Sequence, residues 1–430
     1  MKKRKITAIF AACLIAIFAF SAFGCGGKEY KRKELYYGLG EVSAEFDPLV
    51  EKCDTNDYLA EVCGGFGVSA FRIWMTNASL FIREQNSDKV SLNPLKTEII
   101  HDLCKKLKAN GVQKIVAMSS TFIYPYDYSQ TTNSAVPDPE DEREFYERFL
   151  NIVKDCYALL AAEFDEIDYF EAINEPDLDG QTVLHKNGYT FNASSSVNAN
   201  FLYTYEESAR IAMDIQYYAT EGIKTAGAHK KMLSPAMCAY TVSQDYLAEC
   251  YKAIKSKMLP TGRDYSVTDP DSYFEILNWH PYVLKNGARE MDEGWAKFQR
   301  EFYNVAIENG HTGVPVWFTE IGFSYAEGGE DVAATRMQNF LRLVKQLDFV
   351  ETIFVFRINE LYSNKISTFE DQFGLLRSVC DPEVTAENAV KKTGEIYFKE
   401  INGNASITKL TDVIAKYVGK FNQKTGGTKS

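Results

Sequence analysis

Short apolar runs rich in β-branched and aromatic residues alternate along this chain with longer segments in which apolar residues recur every three or four positions. The short runs are largely apolar on both faces, as strands of a parallel sheet are when helices cover it. Eight such runs predict strands at Leu35–Val42, Val68–Met75, Val112–Ser120, Ile167–Glu175, Met232–Tyr240, Tyr273–Val283, Val314–Ser324 and Thr352–Glu360.

The longer segments predict helices with one apolar face, as the spacing of Phe145, Phe149 and Ile152 illustrates. No Pro-, Gly- or Ser-rich linker divides the chain. Eight strand–helix units therefore favour a single α/β domain, a (β/α)8 TIM barrel with enlarged βα loops, over an open doubly wound sheet. The longest connections, Thr121–Glu140 and Asp177–Asn200, follow strands and should line the active face.

Residues 1–24 have the organisation of a signal peptide, with four basic residues before the charge-free run Ile6–Phe23. Ala22-Phe23-Gly24-Cys25 resembles a bacterial lipobox, which implies lipidation of Cys25. The alternative is an uncleaved membrane helix, because about 18 residues at ~1.5 Å each approach the ~30 Å of a hydrocarbon core. We therefore predict an extracytoplasmic, membrane-anchored lipoprotein of the bacterial cell envelope. Residues 25–34 form the tether, 35–423 the barrel domain and 424–430 a flexible tail.

The composition is that of a globular protein, with 45% hydrophobic, 13% aromatic and 25% charged residues. The formal net charge is −12 before removal of the basic leader, which argues against nucleic acid as a partner. An odd number of cysteines follows Cys25, and none forms a CxxC pair, so no metal site or disulfide framework is predicted. Cys104 and Cys156 fall at apolar helical positions and should be buried.

Two glutamates end predicted strands. Glu175 follows the apolar run of the fourth strand, where Pro176 prevents further ladder pairing, and Glu320 ends the run of the seventh strand. The ends of these strands lie across a barrel mouth from each other. Two carboxylates at roughly 5 Å form the geometry for hydrolysis of a glycosidic bond with retention.

The surrounding residues Asn174-Glu175-Pro176 and Thr319-Glu320-Ile321-Gly322 resemble the paired motifs of clan A glycoside hydrolases, which are (β/α)8 barrels. The resemblance implies that Glu175 is the acid/base, that Glu320 is the nucleophile and that Asn174 contacts the sugar 2-hydroxyl. It requires no metal or organic cofactor.

Two further motifs resemble those of the same clan. Phe71-Arg72-Ile73-Trp74 resembles the segment whose arginine binds the nucleophile, and His280-Pro281-Tyr282 resembles its His-x-Tyr, whose tyrosine touches the nucleophile. We assign Arg72, Asn174, His280, Tyr282, Trp317 and Trp74 to substrate binding. The alternatives are a surface ion pair for Arg72, a hydrogen-bonded core histidine for His280 and core packing for Trp317.

The chain departs from the clan at two strand ends. The eighth strand lacks the usual Trp, and either Phe356 could form an apolar platform or Arg357 could reach an acidic sugar. The third strand ends in Ser119-Ser120 rather than the His that some members carry. The identity of the sugar, its linkage and endo or exo action therefore stay open.

These observations predict a retaining glycosidase acting on β-linked oligo- or polysaccharide. Glu320 must be ionised to attack, and Glu175 must start protonated, with a pKa raised by burial and the neighbouring anion. One alternative is a catalytically silent glycan-binding lipoprotein on the same barrel. The other is the solute-binding lipoprotein of a transporter, which would need two lobes and a hinge.

Overall fold

The computed structural model describes residues 30–41, 55–75, 80–83, 87–118, 142–177, 182–185, 188–191, 205–238, 243–256, 266–283, 290–361, 370–418 and 420. The predicted leader, Cys25, the loop Thr121–Glu140, Ser119-Ser120 and the tail 424–430 lie outside these residues. Among the helices described, none is both long enough and apolar enough to cross a membrane.

Strands and helices alternate as the sequence predicts. The strands are β1 Tyr36–Glu41, β2 Ala70–Trp74, β3 Phe81–Arg83, β4 Val90–Leu92, β5 Lys114–Met118, β6 Tyr169–Glu171, β7 Thr182–His185, β8 Gly188–Phe191, β9 Lys231–Leu233, β10 Leu277–Asn278, β11 Val316–Ile321 and β12 Val350–Phe356. The helices are α1 Thr55–Phe66, α2 Pro94–Ala109, α3 Glu142–Glu163, α4 Tyr205–Lys224, α5 Ser243–Lys255, α6 Glu293–Glu308, α7 Glu330–Val344, α8 Lys392–Asn402 and α9 Thr408–Tyr417.

Eight of the strands form one parallel sheet in the order β10-β11-β12-β1-β2-β5-β6-β9. The edge strands β9 and β10 are joined by parallel bridges between Leu233 and Ile276 and between Met237 and Trp279, which close the sheet into a barrel. The chain therefore has the predicted (β/α)8 architecture, with β1, β2, β5, β6, β9, β10, β11 and β12 as its first to eighth strands.

The apolar residues form two cores. The larger one packs the outward faces of the strands against the helices and includes Cys104 and Cys156, which are buried as predicted. The smaller one fills the inside of the barrel and consists of Ala70, Val116, Leu233, Ile276, Trp317 and Phe354, with Tyr169 against it. The barrel interior is thus packed, and a ligand site must lie at one of its ends.

Some strands are shorter than their apolar runs. In the predicted strand Tyr273–Val283 only Leu277–Asn278 pairs in the ladder, and a 3₁₀ turn, Pro270–Ser272, precedes it. The connection Asp177–Asn200 is not only a loop, because β7 and β8 pair within it as an antiparallel hairpin.

Candidate active site

The side chains identified from motifs come together at the C-terminal ends of the barrel strands. Arg72 lies on β2 and Glu320 on β11, while Glu175, His280 and Tyr282 lie a few residues beyond the ends of β6 and β10. All parallel strands of a barrel end at the same face, so residues that are distant in sequence meet there.

Glu175 is held by the backbone that follows β6. Its N–H donates to the carbonyl of Ala236 at 2.6 Å, and Asn174 forms a parallel bridge with the same residue. Glu175 has a φ of 47°, in the left-handed region that residues other than glycine seldom adopt. Such a conformation costs about 1–3 kcal/mol and is concentrated at functional sites. In this conformation Oε1 of Glu175 lies 2.8 Å from Nδ1 of His280.

A buried arginine connects two acidic side chains at this face. Arg72 donates from Nη1 to Glu320 and from Nη2 to Glu171, and its Nε donates to the other Glu171 oxygen at 3.1 Å. Nη2 also donates to Oδ1 of Asn174 at 3.1 Å. Burial opposes the charge of Arg72, but Glu171 and Glu320 outweigh burial and raise its pKa. Each of these buried charges thus has a partner of opposite sign.

Glu171 was not predicted to belong to the site. The available signal was an acidic residue within Tyr169-Phe170-Glu171-Ala172-Ile173, which is otherwise an apolar run. An ionised side chain in a buried strand requires a partner of opposite charge, and Glu171 is fully buried against Arg72.

Glu320 is surrounded by hydrogen-bond donors. Besides Arg72, the hydroxyl of Tyr282 donates to Oε2 of Glu320 at 3.2 Å, and Nδ1 of His280 lies 3.7 Å from the same oxygen. The contacts that the resemblance implied for Arg72 and Tyr282 are therefore present. The donors from Arg72 and Tyr282 reach different oxygens of Glu320 and so fix the orientation of its carboxyl group.

Glu175 and Glu320 face each other across the site. One carboxylate oxygen of each and one ring nitrogen of His280 all lie within 4.8 Å of one another. Two carboxylate oxygens no more than 4.8 Å apart fit the ~5–5.5 Å between the carboxyl groups of retaining glycosidases better than the ~6.5–9.5 Å at which inverting enzymes admit a water molecule.

His280 is fully buried between the two acids. Burial would lower the pKa of His280, but Glu320 and Glu175 outweigh burial and raise it above its ordinary value. Burial would likewise raise the pKa of Glu175, but the hydrogen bond and charge of His280 outweigh burial and lower it. The prediction of a raised pKa for Glu175 is therefore wrong, because it did not include the cation beside the carboxylate.

A further buried acid supports the backbone around Glu175. Asp177 accepts hydrogen bonds from the N–H of Cys238 at 3.0 and 3.1 Å and from the hydroxyl of Ser243. These bonds tie the segment after β6 to the segment after β9 and to the start of α5. Burial, with the nearby charge of Glu175, raises the pKa of Asp177 to about 6.

The two tryptophans assigned to substrate binding lie in different places. Trp74 ends β2, and its ring centroid lies 5.1 Å from the guanidinium carbon of Arg72, so its contact with substrate stays a prediction. Trp317 is fully buried inside the barrel, and its indole N–H donates to Glu351 at 2.8 Å, near the start of β12. The substrate-binding role predicted for Trp317 is therefore wrong. Its register on β11 places it toward the end of the barrel opposite the site.

The eighth barrel strand ends in an aromatic cluster. The ring of Phe356 lies 5.9 Å from that of Phe373, which lies 5.6 Å from the ring of Tyr282. The next side chain, Arg357, is buried and donates from Nε to the carbonyl of Asn359 at 2.8 Å. These contacts favour Phe356 as the apolar platform of the site.

Glu175, His280 and Glu320 also have the ligand types and spacing of a small metal site. Glu320, however, already accepts a hydrogen bond from Arg72, and this fixed positive charge opposes a second cation beside it. The arrangement therefore disfavours a metal ion at these three side chains.

No protein-family model and no curated protein matches the chain. Several solved structures match it. GH5_18 from Streptomyces cattleya, in complex with Manβ1-4GlcNAc, is 12% identical, with a TM-score of 0.56 over 87% of this chain and 82% of its own. GH5_18 from Bifidobacterium longum is 10% identical, with a TM-score of 0.56 over 86% and 78%. The exo-β-1,4-mannosidase Op5Man5 from Opitutaceae bacterium strain TAV5 is 12% identical, with a TM-score of 0.53 over 91% and 62%. The chain thus shares the (β/α)8 barrel fold of these enzymes.

Proposed function

We propose that this protein is a retaining glycoside hydrolase that cleaves β-linked oligo- or polysaccharides by double displacement. The observation that carries the proposal is the pair of glutamates at the C-terminal end of the barrel, where one carboxylate oxygen of Glu175 lies within 4.8 Å of one of Glu320. The donors around Glu320 support its assignment as the nucleophile, and the hydrogen bond between Glu175 and His280 supports a role for Glu175 in proton transfer.

In the first step Glu320 attacks the anomeric carbon, the glycosidic bond breaks and the leaving oxygen receives a proton through Glu175. The product is a glycosyl ester of Glu320. Arg72 and Tyr282 hold the attacking oxygens in place, since each donates to a different oxygen of the carboxylate. Asn174 accepts a hydrogen bond from Arg72. The resemblance assigns Asn174 to the contact with the sugar 2-hydroxyl.

In the second step a water molecule attacks the anomeric carbon from the side of the departed leaving group. Glu175 accepts a proton from this water, and Glu320 leaves as a carboxylate. Two inversions at the same carbon restore the original configuration.

A hydrolysis screen tests this proposal. We would use aryl β-glycosides, β-mannan and β-glucan oligosaccharides, since the Streptomyces cattleya structure contains Manβ1-4GlcNAc. Glu320→Ala should abolish turnover, while Glu175→Ala should impair substrates with poor leaving groups far more than activated aryl glycosides and should be partly rescued by azide. A Glu320→Ala variant with near wild-type turnover would contradict the assignment.

The same experiment addresses a catalytically silent glycan-binding protein. Such a protein would bind oligosaccharides without cleaving any member of the screen. The intact carboxylates and their donors favour catalysis over binding alone. The two lobes that a transporter's solute-binding protein requires are not found among the described residues, whose barrel strands form a single closed sheet.

We also propose that the protein is a membrane-anchored lipoprotein outside the cytoplasm, with Cys25 as the lipidated residue. The support is the lipobox-like sequence before Cys25. Metabolic labelling with a fatty acid should mark the wild type but not Cys25→Ser, and labelling of both proteins would contradict the proposal.

A further inference from the structure

His280 has a second ring nitrogen, and the partner of this nitrogen determines where the ring carries its proton. Nε2 lies 3.1 Å from Oγ1 of Thr319, and the Thr319 hydroxyl donates to Oδ1 of Asn278 at 2.6 Å. A hydroxyl has one proton to donate, and an amide oxygen can only accept. Because Thr319 gives its proton to Asn278, its oxygen must accept a hydrogen bond from Nε2. Nε2 therefore carries a proton, and Nδ1 is the nitrogen that gains or loses one.

We propose that Nδ1 of His280 stores the proton that Glu175 delivers, and that Thr319 and Asn278 are positioning residues that hold His280 in the required tautomer. This inference rests on the proposed function and names the source of its acid proton. Nδ1 lies 2.8 Å from Glu175, within hydrogen-bond distance, so one proton can pass between the two atoms.

The charge of Glu320 determines when Nδ1 of His280 holds this proton. Nδ1 lies 3.7 Å from Oε2 of Glu320, so an anionic Glu320 stabilises the protonated ring. When Glu320 forms its ester, the carboxylate loses its charge, and the pair of His280 and Glu175 releases one proton to the leaving oxygen. When water cleaves the ester, Glu320 regains its charge and one water proton returns through Glu175 to Nδ1. The three groups thus carry the same net charge before and after each step.

The other groups around the pair do not provide this storage. Arg72 is a cation and opposes protonation of His280, and the Tyr282 ring lies 6.2 Å from the imidazole. Cys238 faces Glu175, but burial raises the pKa of its thiol well above the ordinary value, so the thiol remains neutral. Asp177, a third buried acid near Glu175, is bonded to Cys238 and Ser243. The acids that stabilise a proton on Nδ1 are Glu175 and Glu320, whose oxygens lie 2.8 and 3.7 Å from it.

Asn278 acts on this chain of hydrogen bonds through one atom. Its Nδ2 is buried and has no hydrogen-bond partner among the described residues, while its Oδ1 accepts from Thr319. The fully buried amide oxygen is therefore a fixed acceptor for the Thr319 hydroxyl. This bond orients the hydroxyl so that its oxygen can accept from Nε2 of His280.

The pH dependence of kcat/KM tests the proposal with matched threonine variants. Activity should fall on the basic side as the pair loses its proton. Thr319→Val removes the acceptor of a charged N–H, so the basic limb should move to lower pH by about one unit. Thr319→Ser keeps the hydroxyl and should restore the wild-type limb. Thr352→Val is the control, because Thr352 is also buried on a barrel strand and its hydroxyl has no hydrogen-bond partner in the described part of the chain. An unchanged basic limb in Thr319→Val, or no restoration in Thr319→Ser, would overturn the proposal.

A second measurement needs no substrate and therefore separates failure of this inference from failure of the proposed function. The chain has five histidines, so ¹⁵N-histidine NMR resolves the ring nitrogens, and the signals of His280 are assigned by their loss in His280→Asn. We expect a protonated Nε2 at every pH at which the protein is folded and a titrating Nδ1. A resting enzyme in which Nε2 carries no proton would refute the inference even if hydrolysis is observed.

Discussion

Glu171 determines how the charge of Arg72 is divided at the site. Three nitrogens of Arg72 donate to the two acids, and two of these bonds go to Glu171. Glu171 therefore neutralises much of the arginine charge and fixes the guanidinium so that Nη1 faces Glu320. Without the negative charge of Glu171, Arg72 would pair more strongly with Glu320 and make it a weaker nucleophile.

We predict that Glu171→Gln lowers kcat by roughly 10- to 100-fold, equivalent to about 1.4–2.8 kcal/mol of barrier. The control is Glu351→Gln, which also removes a barrel carboxylate paired with a cation, Lys114, but at the opposite end of the barrel. Steady-state kinetics and urea unfolding of both variants separate the effects. Equal kcat values for the two variants would contradict a role of Glu171 at the site.

Asp177 makes stability depend on pH. Its pKa in the folded protein is about 6, above the ordinary 3.8, so folding favours the protonated form. The stability that this preference contributes is present below about pH 4 and is lost as pH rises through 6.

Asp177→Asn does not titrate and can still accept from Cys238 and donate to Ser243. Its free energy of unfolding should therefore rise relative to the wild type between pH 4 and pH 7, by on the order of 2 kcal/mol. Urea denaturation of both proteins at the two pH values measures the difference. A difference that does not change with pH would contradict the pKa direction.

At the scale of elements, the apolar runs predicted where the barrel strands lie better than they predicted where each strand ends. β11, Val316–Ile321, lies within the predicted Val314–Ser324, because a strand covered on both faces is apolar throughout. β6 ends at Glu171, four residues before the predicted end, because the chain leaves the ladder and bends at Glu175. Hydrophobic periodicity carries no information about such a local backbone conformation.

The same limit explains which site residues were found. Glu175, Glu320, Arg72 and Tyr282 were identified from motifs and strand ends, and the structure brings them together. The error in the prediction for Trp317 has a physical cause. In a strand that is apolar on both faces, the pattern does not distinguish the barrel interior from the helix-facing side, nor one end of the barrel from the other.

The ends of the seventh and eighth barrel strands approach each other at Gly322. A Cβ at this position would collide with the carbonyl oxygen of Phe356 and lie 2.9 Å from a ring carbon of Phe373. The close approach keeps the strand end that carries Glu320 against the aromatic cluster.

Gly322→Ala should therefore lower the free energy of unfolding by about 1–3 kcal/mol, as overpacked sites do. Gly40→Ala is the control, since the one described atom within 4 Å of a Cβ there is the Cβ of Arg72, at 3.9 Å. Chemical denaturation should find Gly40→Ala close to the wild type. A Gly322→Ala variant as stable as Gly40→Ala would show that the two strand ends are not tightly packed.

At the scale of the whole molecule, the segment before β1 docks at the end of the barrel opposite the site. The Tyr30 hydroxyl donates to Glu351 at 2.6 Å, near the start of β12. Arg32 donates to backbone carbonyls at the end of α7 and just beyond it, those of Val344, Lys345, Leu347 and Val350. In the proposed lipoprotein, an anchor ahead of Tyr30 would therefore leave the catalytic face directed away from the membrane.

Arg32→Ala should lower the free energy of unfolding by about 1–3 kcal/mol, because a cation at a helix C-terminus satisfies carbonyls that lack partners in the helix. Arg300→Ala is the matched control, since Arg300 donates one exposed bond, to the carbonyl of Gln346, within the part of the chain that the structure describes. Its effect should stay below about 1 kcal/mol. Equal losses in denaturant unfolding would contradict the docking of the segment.

The central claim is that Glu320 attacks the sugar and that water attacks only afterwards. The stereochemistry of the first product tests it most directly, because double displacement restores the starting anomer, whereas direct attack by water inverts it. With a substrate from the hydrolysis screen, a proton NMR time course before mutarotation should show the first-formed sugar in the anomeric configuration of the substrate. Appearance of the opposite anomer first would contradict the account, even if both glutamates are essential.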